Sequence, residues 1–259
     1  MNKSLTPTSC PLCVDLDGTL VKTDTFAQAL LLLVRTRPFV LLSLLRRFSS
    51  GLAAFKQRVA DEVQLDPAVL PYHAEFVEFL REEQRAGREL ILVTASDKAP
   101  AQAVADHLGL FADVLASDGV VNLKSVHKRE VLVDRFGERG FDYAGNSVAD
   151  LPVWAVAQNI IAVNPSMAVR HALAKHAALV FEDRPPLWRV LLRALRVHQW
   201  MKNMLIFLPM LLAHEFLNPV IYLRAVIAFL SFSLAASAIY IVNDIFFILS
   251  VFSLIFYLL

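Results

Sequence analysis

The sequence predicts an α/β fold, with a doubly wound parallel sheet and a small helical cap, followed by a transmembrane helical segment. Three observations support this prediction. Short runs rich in Val, Ile and Leu alternate with amphipathic, glycine-stopped segments up to about residue 181. A basic, leucine-rich stretch interrupts the alternation near the N-terminus. The chain after residue 183 is apolar and basic, in a protein of 259 residues with a mean hydropathy of +0.52.

The predicted strands are short apolar runs that end at a turn or a polar group. In chain order they are PLCV (before DLDGTL), ELILVT, ADVLAS, FDYAG, IIAV and AALVF. Between them lie five predicted helices: YHAEFVEFLREEQRAG, APAQAVADHLG, HKREVLVDRFG, ADLPVWAVAQ and MAVRHALAKH. Alternation of strand and helix is typical of βαβ units, so we expect a parallel sheet with helices on both faces.

Residues 26–70 are predicted to form the cap. The runs ALLLLV and FVLLSLL are separated by RTRP, and each is too short to cross a bilayer, which takes about 20 residues. Two short helices with a core of their own explain the pattern. The alternative is an interfacial element in residues 26–59, with its arginines at the level of the lipid headgroups.

Charge separates the chain into two parts. Residues from Arg184 onward carry six Lys or Arg and two acids, whereas the rest carries 19 basic and 22 acidic residues. The pair Pro185-Pro186 marks the boundary. We therefore predict a domain over residues 1–183, a basic linker over 184–202 and a membrane region of two or three helices over 203–259.

The best predicted membrane span covers Ala225 to Val242, which are 18 uncharged residues rich in Ser and Ala. We expect the apolar run MLIFLPMLLAHEFL to cross first, the chain to turn near HEFLNP, and this span to return. The basic residues before the first run predict a multi-pass protein of the cell membrane whose first domain is cytoplasmic. The N-terminus MNKSLTPTSCPLC lacks the apolar core of a signal peptide.

Two other features have simple interpretations. Cys10 and Cys13 form a lone C-x-x-C that overlaps the first strand, so they are interpreted as core-facing or idle thiols rather than a redox pair. His127 precedes a predicted helix and is expected to be exposed.

Polar side chains cluster at the predicted carboxyl ends of the strands, where ligands bind in open α/β sheets. Two acids on one tight turn repel each other, which a divalent cation or a proton would relieve. A hydroxyl, a lysine and further oxygen atoms around such a pair form a site for a phosphoryl group and Mg²⁺. The candidate residues are Asp15, Asp17, Thr94, Lys128, Asn146 and Asp150.

These residues lie in four motifs that resemble the haloacid dehalogenase superfamily. DLDGTL resembles its motif I, LILVTAS motif II, HKREVL motif III and GNSVAD motif IV, in order over about residues 12–181. The resemblance implies that Asp15 is the nucleophile and forms an aspartyl-phosphate, and that Asp17 is the general acid and base. The second acid points to phosphate chemistry, because dehalogenating members lack it.

The resemblance also assigns the other residues. Thr94 would bind phosphoryl oxygens, Lys128 would neutralise charge, and Asn146 and Asp150 would hold Mg²⁺ or its waters together with Asp15 and Asp17. Lys124 competes with Lys128 for the lysine role. Motif IV usually begins with an acid, and an amide is a weaker ligand for a hard cation, so a domain that binds but does not catalyse is an alternative.

The membrane region shows a second resemblance, to UbiA-type prenyltransferases. LRVHQWMKNMLIFLPMLL and AASAIYIVNDI resemble the start of the branch that joins phosphoribosyl pyrophosphate to a polyprenyl phosphate. The resemblance implies a vestigial transferase site at Lys202, Asn203, Asn243 and Asp244, with Asn243-Asp244 at a helix end. The family needs further acids after this pair, but the sequence continues IFFILSVFSLIFYLL, so no transferase activity is expected.

Together these features predict a membrane-attached, Mg²⁺-dependent phosphatase. Its expected partners are a phosphorylated small-molecule or lipid-linked substrate, in polyprenyl-phosphate or lipid-linked sugar metabolism, and membrane lipid, with no nucleic acid. One alternative is a fragment of a UbiA-family transferase, arising by truncation or a frameshift. The other is a catalytically dead, membrane-tethered binding module.

Overall fold

The computed structural model describes residues 10–46, 51–63, 65–117, 123, 125–174, 176, 178–183, 186–215 and 217–257. The chain divides into two compact units, Met1–Asp183 and Arg184–Leu259. Each unit is described by itself.

The first unit is built on a six-stranded parallel sheet of order β3-β2-β1-β4-β5-β6. All six predicted strands are present, and the α/β fold with a parallel sheet is confirmed. The strands are β1 (Leu12–Val14), β2 (Leu90–Asp97), β3 (Asp113–Ser117), β4 (Asp142–Gly145), β5 (Ile160–Val163) and β6 (Ala178–Phe181).

Helices cover both faces of this sheet. One face packs against α4 (Ala74–Arg85) and α5 (Lys98–Leu108). The other packs against α6 (Val126–Phe136), α7 (Leu151–Trp154) and α8 (Met167–Leu173). The helix predicted from ADLPVWAVAQ is shorter than expected, because a 3₁₀ turn occupies Val148–Asp150 and the α-helical part has four residues.

Alternation along the strands divides the core into two layers. In β1, Leu12 and Val14 face the α4 and α5 layer, while Cys13 faces the other. Leu92 and Ile91 of β2 divide in the same way. Cys10 and Cys13 are free thiols, and Cys13 is fully buried, as expected for a core-facing residue.

The small helical cap is present between β1 and α4. It contains α1 (Thr25–Thr36), α2 (Pro38–Arg46) and a third helix, α3 (Gly51–Glu62). Asp24 caps α1 by accepting a hydrogen bond from the Ala27 amide at 2.9 Å. Leu33 of α1 is buried, and Phe26 packs edge-on against Phe55 of α3 with ring centroids 6.3 Å apart.

The second unit contains α9 (Leu187–Ala194), a 3₁₀ segment (Val197–Phe207), α10 (Leu208–Leu212) and α11 (Pro219–Tyr257). Within the described residues, one helix is long and apolar enough to cross a membrane, over Pro219–Phe246. The first predicted crossing, MLIFLPMLLAHEFL, forms no such helix, since its helical part is only five residues long. Part of the predicted linker 184–202 is the helix α9.

Small residues of α11 pack closely against the preceding segment. Ser233 and Ser237 are buried. Ser233 accepts a hydrogen bond from Asn203 Nδ2 at 2.9 Å, and Ser237 accepts one from Trp200 Nε1 at 3.0 Å. Ser237 in turn donates to the Leu195 carbonyl at 2.6 Å.

The prediction that Asn243-Asp244 lies at a helix end is wrong. Helix α11 continues through the pair to Tyr257. Both residues are exposed, and the Asp244 carboxylate accepts a hydrogen bond from Arg196 at 2.6 Å. A polar pair with an ionic partner on the side of a helix leaves the backbone ladder intact, so the helix need not end there.

Candidate active site

A cavity of about 430 Å³ opens at the carboxyl edge of the sheet, where the strand order reverses between β1 and β4. The loop after β1, the end of β2, the start of α6 and the loop after β4 surround it. Its polar lining includes Asp15, Asp17, Lys22, Ser96, Ser125, Lys128, Asn146, Ser147 and Asp150.

Asp15 follows β1 directly and is 8% exposed. Its Oδ1 accepts a hydrogen bond from Lys128 Nζ at 2.7 Å, and its Oδ2 accepts one from the Thr19 hydroxyl at 3.2 Å. Burial raises the pKa of Asp15 to about 7, and the Lys128 ammonium opposes that rise. Two donors therefore hold one buried carboxylate at the centre of the cavity.

Asp17 lies on the cap side of the same loop. One of its oxygens accepts a hydrogen bond from the Thr25 amide at 2.7 Å, and the other accepts one from the Ser96 hydroxyl. Burial raises its pKa, while these two hydrogen bonds oppose the rise. A carboxyl group that keeps its proton more readily than usual suits general acid catalysis near neutral pH.

Lys128 lies in the first turn of α6 and is buried. Besides Asp15, its ammonium donates to the Tyr143 hydroxyl at 2.9 Å. Tyr143 donates to Asp150 Oδ1 at 2.8 Å, so a chain of hydrogen bonds joins four buried side chains. The competing candidate, Lys124, lies outside the described residues.

Asp150 supports the loop after β4. Its Oδ2 accepts hydrogen bonds from the Asn146 amide at 3.1 Å and from the Ser147 amide and hydroxyl at 2.9 and 3.0 Å. Gly145 makes room for it, since a Cβ there would lie 2.7 Å from Asp150 Cγ. The four bonds to its two oxygens favour a supporting role over direct metal ligation.

Thr94 does not line the cavity. It is fully buried, and its hydroxyl accepts a hydrogen bond from the Ser96 amide at 3.0 Å. Ser96, two residues later, lines the cavity and contacts Asp17. The hydroxyl that the sequence placed at the phosphoryl group is thus turned inward, and a neighbouring hydroxyl faces the cavity.

Asn146 faces the cavity beside the loop after β1. Gly18, with a φ of +75°, allows the two loops to approach, because a Cβ on Gly18 would lie 2.1 Å from Asn146 Nδ2. The glycine of DLDGTL therefore makes room for the residue that opens GNSVAD.

The donor set is limited but suits magnesium. Among the described residues, no three His, Cys, Asp or Glu side chains form a metal-binding group. Asp15, Asp17 and Asn146 nevertheless place carboxylate and amide oxygens around one cavity. Mg²⁺ commonly takes one or two protein carboxylates and completes its shell with water and substrate phosphate, so these residues fit it.

A smaller apolar pocket of about 40 Å³ lies between the cap and the sheet. Helix α1 contributes Phe26 and Ala29 to its wall, α3 contributes Ala60, and Val63 follows α3 directly. It shares Phe26 and Ser96 with the larger cavity, so a ligand in the cavity can reach apolar surface on the side of Asp17.

The predicted transferase residues of the second unit do not surround one open acidic site. Lys202 and Asn203 line a small pocket of about 60 Å³ together with Arg196. Arg196 pairs with Asp244 at 2.6 Å and lies 4.9 Å from the centre of the Tyr240 ring. The one acid in this group is already paired with a cation.

Ser96 and Tyr143 are among the residues of the first site to which the sequence assigned no role. Ser96 could have been found, because it belongs to the small hydroxyl run Thr94-Ala95-Ser96 at a strand end. Tyr143 lies inside β4 and reads as an ordinary core aromatic, with no local signal that its hydroxyl meets Lys128.

The chain is similar in sequence to known proteins. Residues 12–154 match the model of a family described as haloacid dehalogenase-like hydrolase. A protein of Sinorhizobium fredii, described as uncharacterized protein y4nM, is 38% identical over 240 residues. The alignment covers 90% of this chain and 46% of that protein, so the chain spans about half the length of this curated relative.

Solved structures share the fold of the first unit. A protein with unknown function from Bordetella pertussis Tohama I has a TM-score of 0.52 and 20% identity, over 66% of this chain and 97% of that chain. A substrate-bound phosphoserine phosphatase is less similar, with a TM-score of 0.44 and 16% identity over 72% of this chain and 98% of that chain.

Proposed function

Because the chain belongs to the haloacid dehalogenase-like hydrolase family, we propose that its first unit hydrolyses a phosphomonoester through an aspartyl-phosphate intermediate. One observation carries the proposal. The buried Asp15 carboxylate, held by Lys128 and Thr19, lies in a cavity that it shares with a second carboxylate, Asp17.

The reaction proceeds in two steps. Asp15 attacks the phosphorus atom, a phosphorus–oxygen bond to the leaving group breaks, and Asp17 donates a proton to the leaving oxygen. Water then attacks the phosphorus atom, Asp17 accepts the water proton, and the bond to Asp15 breaks to release inorganic phosphate. Lys128 holds positive charge beside Asp15 throughout, which favours the negative charge that gathers there.

Mg²⁺ is the proposed cofactor, held by Asp15, Asp17 and Asn146. When bound, the ion supplies positive charge that stabilises the phosphoryl group during transfer. Asp150 keeps the loop that carries Asn146 in place, rather than binding the ion itself. Ser96, which lines the cavity where Thr94 does not, is the proposed hydroxyl donor to the phosphoryl oxygens.

The substrate is proposed to be a phosphorylated small molecule or a lipid-linked phosphate. The cavity of about 430 Å³ has room for a small phosphomonoester, and the adjoining apolar pocket offers contacts to carbon atoms of its leaving group. A role in polyprenyl-phosphate or lipid-linked sugar metabolism is supported only by the resemblance of the second unit's sequence to UbiA-type enzymes.

The second unit is proposed to attach the protein to a membrane through α11. The helix from Pro219 to Phe246 has the length and composition of a membrane span. The cytoplasmic side of the first unit, a second crossing and the UbiA-type origin stay predictions from the sequence.

The central experiment measures phosphate release from a panel of phosphomonoesters by the purified full chain with Mg²⁺. We expect turnover in the wild type, loss of at least a thousandfold for Asp15→Asn, and loss on removal of Mg²⁺ with a chelator. Asp106→Asn is the matched control, since it makes the same change at an exposed carboxylate on α5. Equal rates for Asp15→Asn and the wild type would show that the mechanism is wrong.

A second experiment tests the metal site through Asn146. The variant Asn146→Asp keeps the size of the side chain and adds a carboxylate, so we expect the Mg²⁺ concentration at half-maximal activity to fall about tenfold. Calorimetric titration with Mg²⁺ measures the same change without turnover. Unchanged Mg²⁺ affinity would remove Asn146 from the metal site.

The second candidate function is a domain that binds phosphate compounds without hydrolysing them. The amide at position 146 favours it, because an amide oxygen that lines the cavity is a weaker ligand for Mg²⁺ than a carboxylate. Mg²⁺ binding with no turnover on the whole panel is the outcome that supports this alternative.

A further inference from the structure

We propose that Tyr143 is a positioning residue for the proposed phosphatase reaction, because its hydroxyl bridges Lys128 and Asp150 and so sets where the Lys128 ammonium meets Asp15. The inference rests on the proposed function for its catalytic consequence. The hydrogen-bonded bridge itself is observed within the first unit and does not depend on that function.

The distances show that the hydroxyl is a necessary link. Lys128 Nζ lies 3.9 Å from Asp150 Oδ1, beyond hydrogen-bond range. The Tyr143 hydroxyl lies 2.9 Å from the ammonium and 2.8 Å from the same carboxylate oxygen. It thus completes a connection that the two charged groups do not make directly.

The direction of the hydrogen bonds is set by the number of protons. A phenol has one proton, and an ionised carboxylate only accepts, so Tyr143 donates to Asp150. Its oxygen is then free to accept from Lys128, which has three protons to donate. Burial and the neighbouring Asp150 charge raise the pKa of Tyr143 well above its usual value, so the phenol keeps its proton.

The bridge is rigid at both ends. Asp150 is fixed by the amides of Asn146 and Ser147, and thus by the loop after β4. The Tyr143 ring is fully buried and packs edge-on against Trp154, with ring centroids 6.4 Å apart. The Lys128 ammonium is therefore held in place by Tyr143, a residue of strand β4, and not only by its own flexible side chain.

Loss of the hydroxyl should move the ammonium. Without the bridge, Lys128 has Asp15 as one partner and a vacant direction toward Asp150, so it is drawn away from its position at Asp15. A displacement of about 1 Å at a catalytic group can cost about a hundredfold in rate. Substrate binding should be little affected, because Tyr143 does not line the cavity.

The test is Tyr143→Phe in the full chain, which removes one oxygen atom and keeps the ring. We expect kcat to fall about tenfold to a hundredfold with KM within about twofold of the wild-type value. Tyr72→Phe is the matched control, because it removes a half-buried hydroxyl that donates to the Pro67 carbonyl at 2.9 Å, on a residue that does not line the cavity. It should leave kcat unchanged.

A second measurement does not require activity. In ¹⁵N-labelled protein, the Lys128 ammonium signal, assigned by its absence in Lys128→Gln, should shift and exchange faster with water in Tyr143→Phe than in Tyr72→Phe. Asp150→Asn, which keeps the hydroxyl but weakens its acceptor, should shift the signal as well. If the protein showed these shifts but no turnover, the bridge would be supported and the proposed function would be contradicted.

Three results would overturn the inference. They are an unchanged kcat in an active Tyr143→Phe variant, an equal loss of kcat in Tyr72→Phe, and a Lys128 signal that Tyr143→Phe leaves in place. The first two concern positioning in an active enzyme, and the third concerns the bridge itself.

Discussion

At the scale of single residues, the loop after β1 depends on the absence of a side chain at Gly18. Its φ of +75° belongs to the left-handed region, and a Cβ there would collide with the Asn146 side chain. Two separate constraints, conformation and space, thus meet at one residue.

Gly87 has the first of these constraints, the left-handed conformation, without the second, the lack of space. Its φ is +85°, but a Cβ there would meet no atom within 4 Å. We expect Gly87→Ala to lower the free energy of unfolding by about 1–2 kcal/mol and to retain activity. Gly18→Ala should show a similar loss of stability together with loss of activity and of Mg²⁺ affinity, because Asn146 must move.

Denaturant unfolding, phosphate release and Mg²⁺ titration of both variants check this prediction. If Gly18→Ala stayed as active as Gly87→Ala, the close approach to Asn146 would have no functional role.

The acidic residues and Lys128 line one cavity at the sheet edge where the sequence led us to expect them, and their catalytic roles stay predictions. Asp15 and Asp17 follow a strand by one and three residues, so the sheet carries them to its edge. The choice between Thr94 and Ser96 depended on a register shift in the pairing of β2 with β3 between Thr94 and Asp97, which no local pattern reveals.

At the scale of elements, His73 joins the start of α4 to the loop after β1. It is buried, its backbone amide donates to the Leu20 carbonyl at 3.1 Å, and its Nδ1 lies 3.3 Å from Asn164 Nδ2. Burial lowers its pKa, and the Lys22 ammonium adds to that effect, while Asp183 opposes it. The neutral imidazole is therefore favoured in the folded protein.

This shift predicts how stability depends on pH. Below about pH 6.5 the unfolded chain binds a proton at His73 that the folded chain resists, so the contribution of His73 to stability should fall as the pH drops from 7 to 5. The raised pKa of Asp15 contributes with the opposite sign over this range, so the His73 contribution is measured as the difference between the wild type and a His73 variant. The contribution of one such group is at most about 1.4 kcal/mol per pH unit. His73→Asn should reduce the slope of stability against pH, as measured by denaturant unfolding at several pH values. An unchanged slope would assign the pH dependence to other groups.

Strands were easier to predict than helix ends. Apolar runs such as ELILVT and IIAV have few alternatives once they lie between glycine-stopped helices. The ends of α7 and α11 depended on tertiary contacts instead. Residues Val148–Asp150 form a 3₁₀ turn in which Asp150 bonds the loop before it, and Asp244 stays within α11, where Arg196 pairs with it.

At the scale of the whole molecule, the two units differ in how far they bury their apolar residues. The first unit buries two large clusters around one sheet. In the second, Ser233 and Ser237 are the only buried residues of the candidate span Pro219–Phe246. We expect residues 1–183 alone to fold, to stay in solution and to keep the phosphatase activity, since the site lies within this unit.

Membrane fractionation and circular dichroism test this expectation. The full chain should sediment with membranes and resist alkaline extraction, while residues 1–183 should remain in the supernatant with a folded spectrum. A full chain that remains soluble would contradict membrane attachment. An unfolded fragment would contradict the independence of the first unit.

Composition predicted this division because the chain becomes more apolar and more basic after residue 183. It did not predict the form of the apolar run before Pro219. There a 3₁₀ segment and a five-residue helix replace the expected crossing, since Asn203 and Trp200 bond to serines of α11.

The unbroken helix α11 is longer than a bilayer is thick. At 1.5 Å per residue, its 39 residues extend about 58 Å, roughly twice the thickness of the hydrocarbon layer of a bilayer. Even a tilt of about 40° lets such a layer enclose only about 39 Å of rod. With Pro219 at one surface, Asp244 would emerge near the opposite surface, about 37 Å away, and the apolar turns beyond it would project outside the lipid and require a protein neighbour to shield them from water.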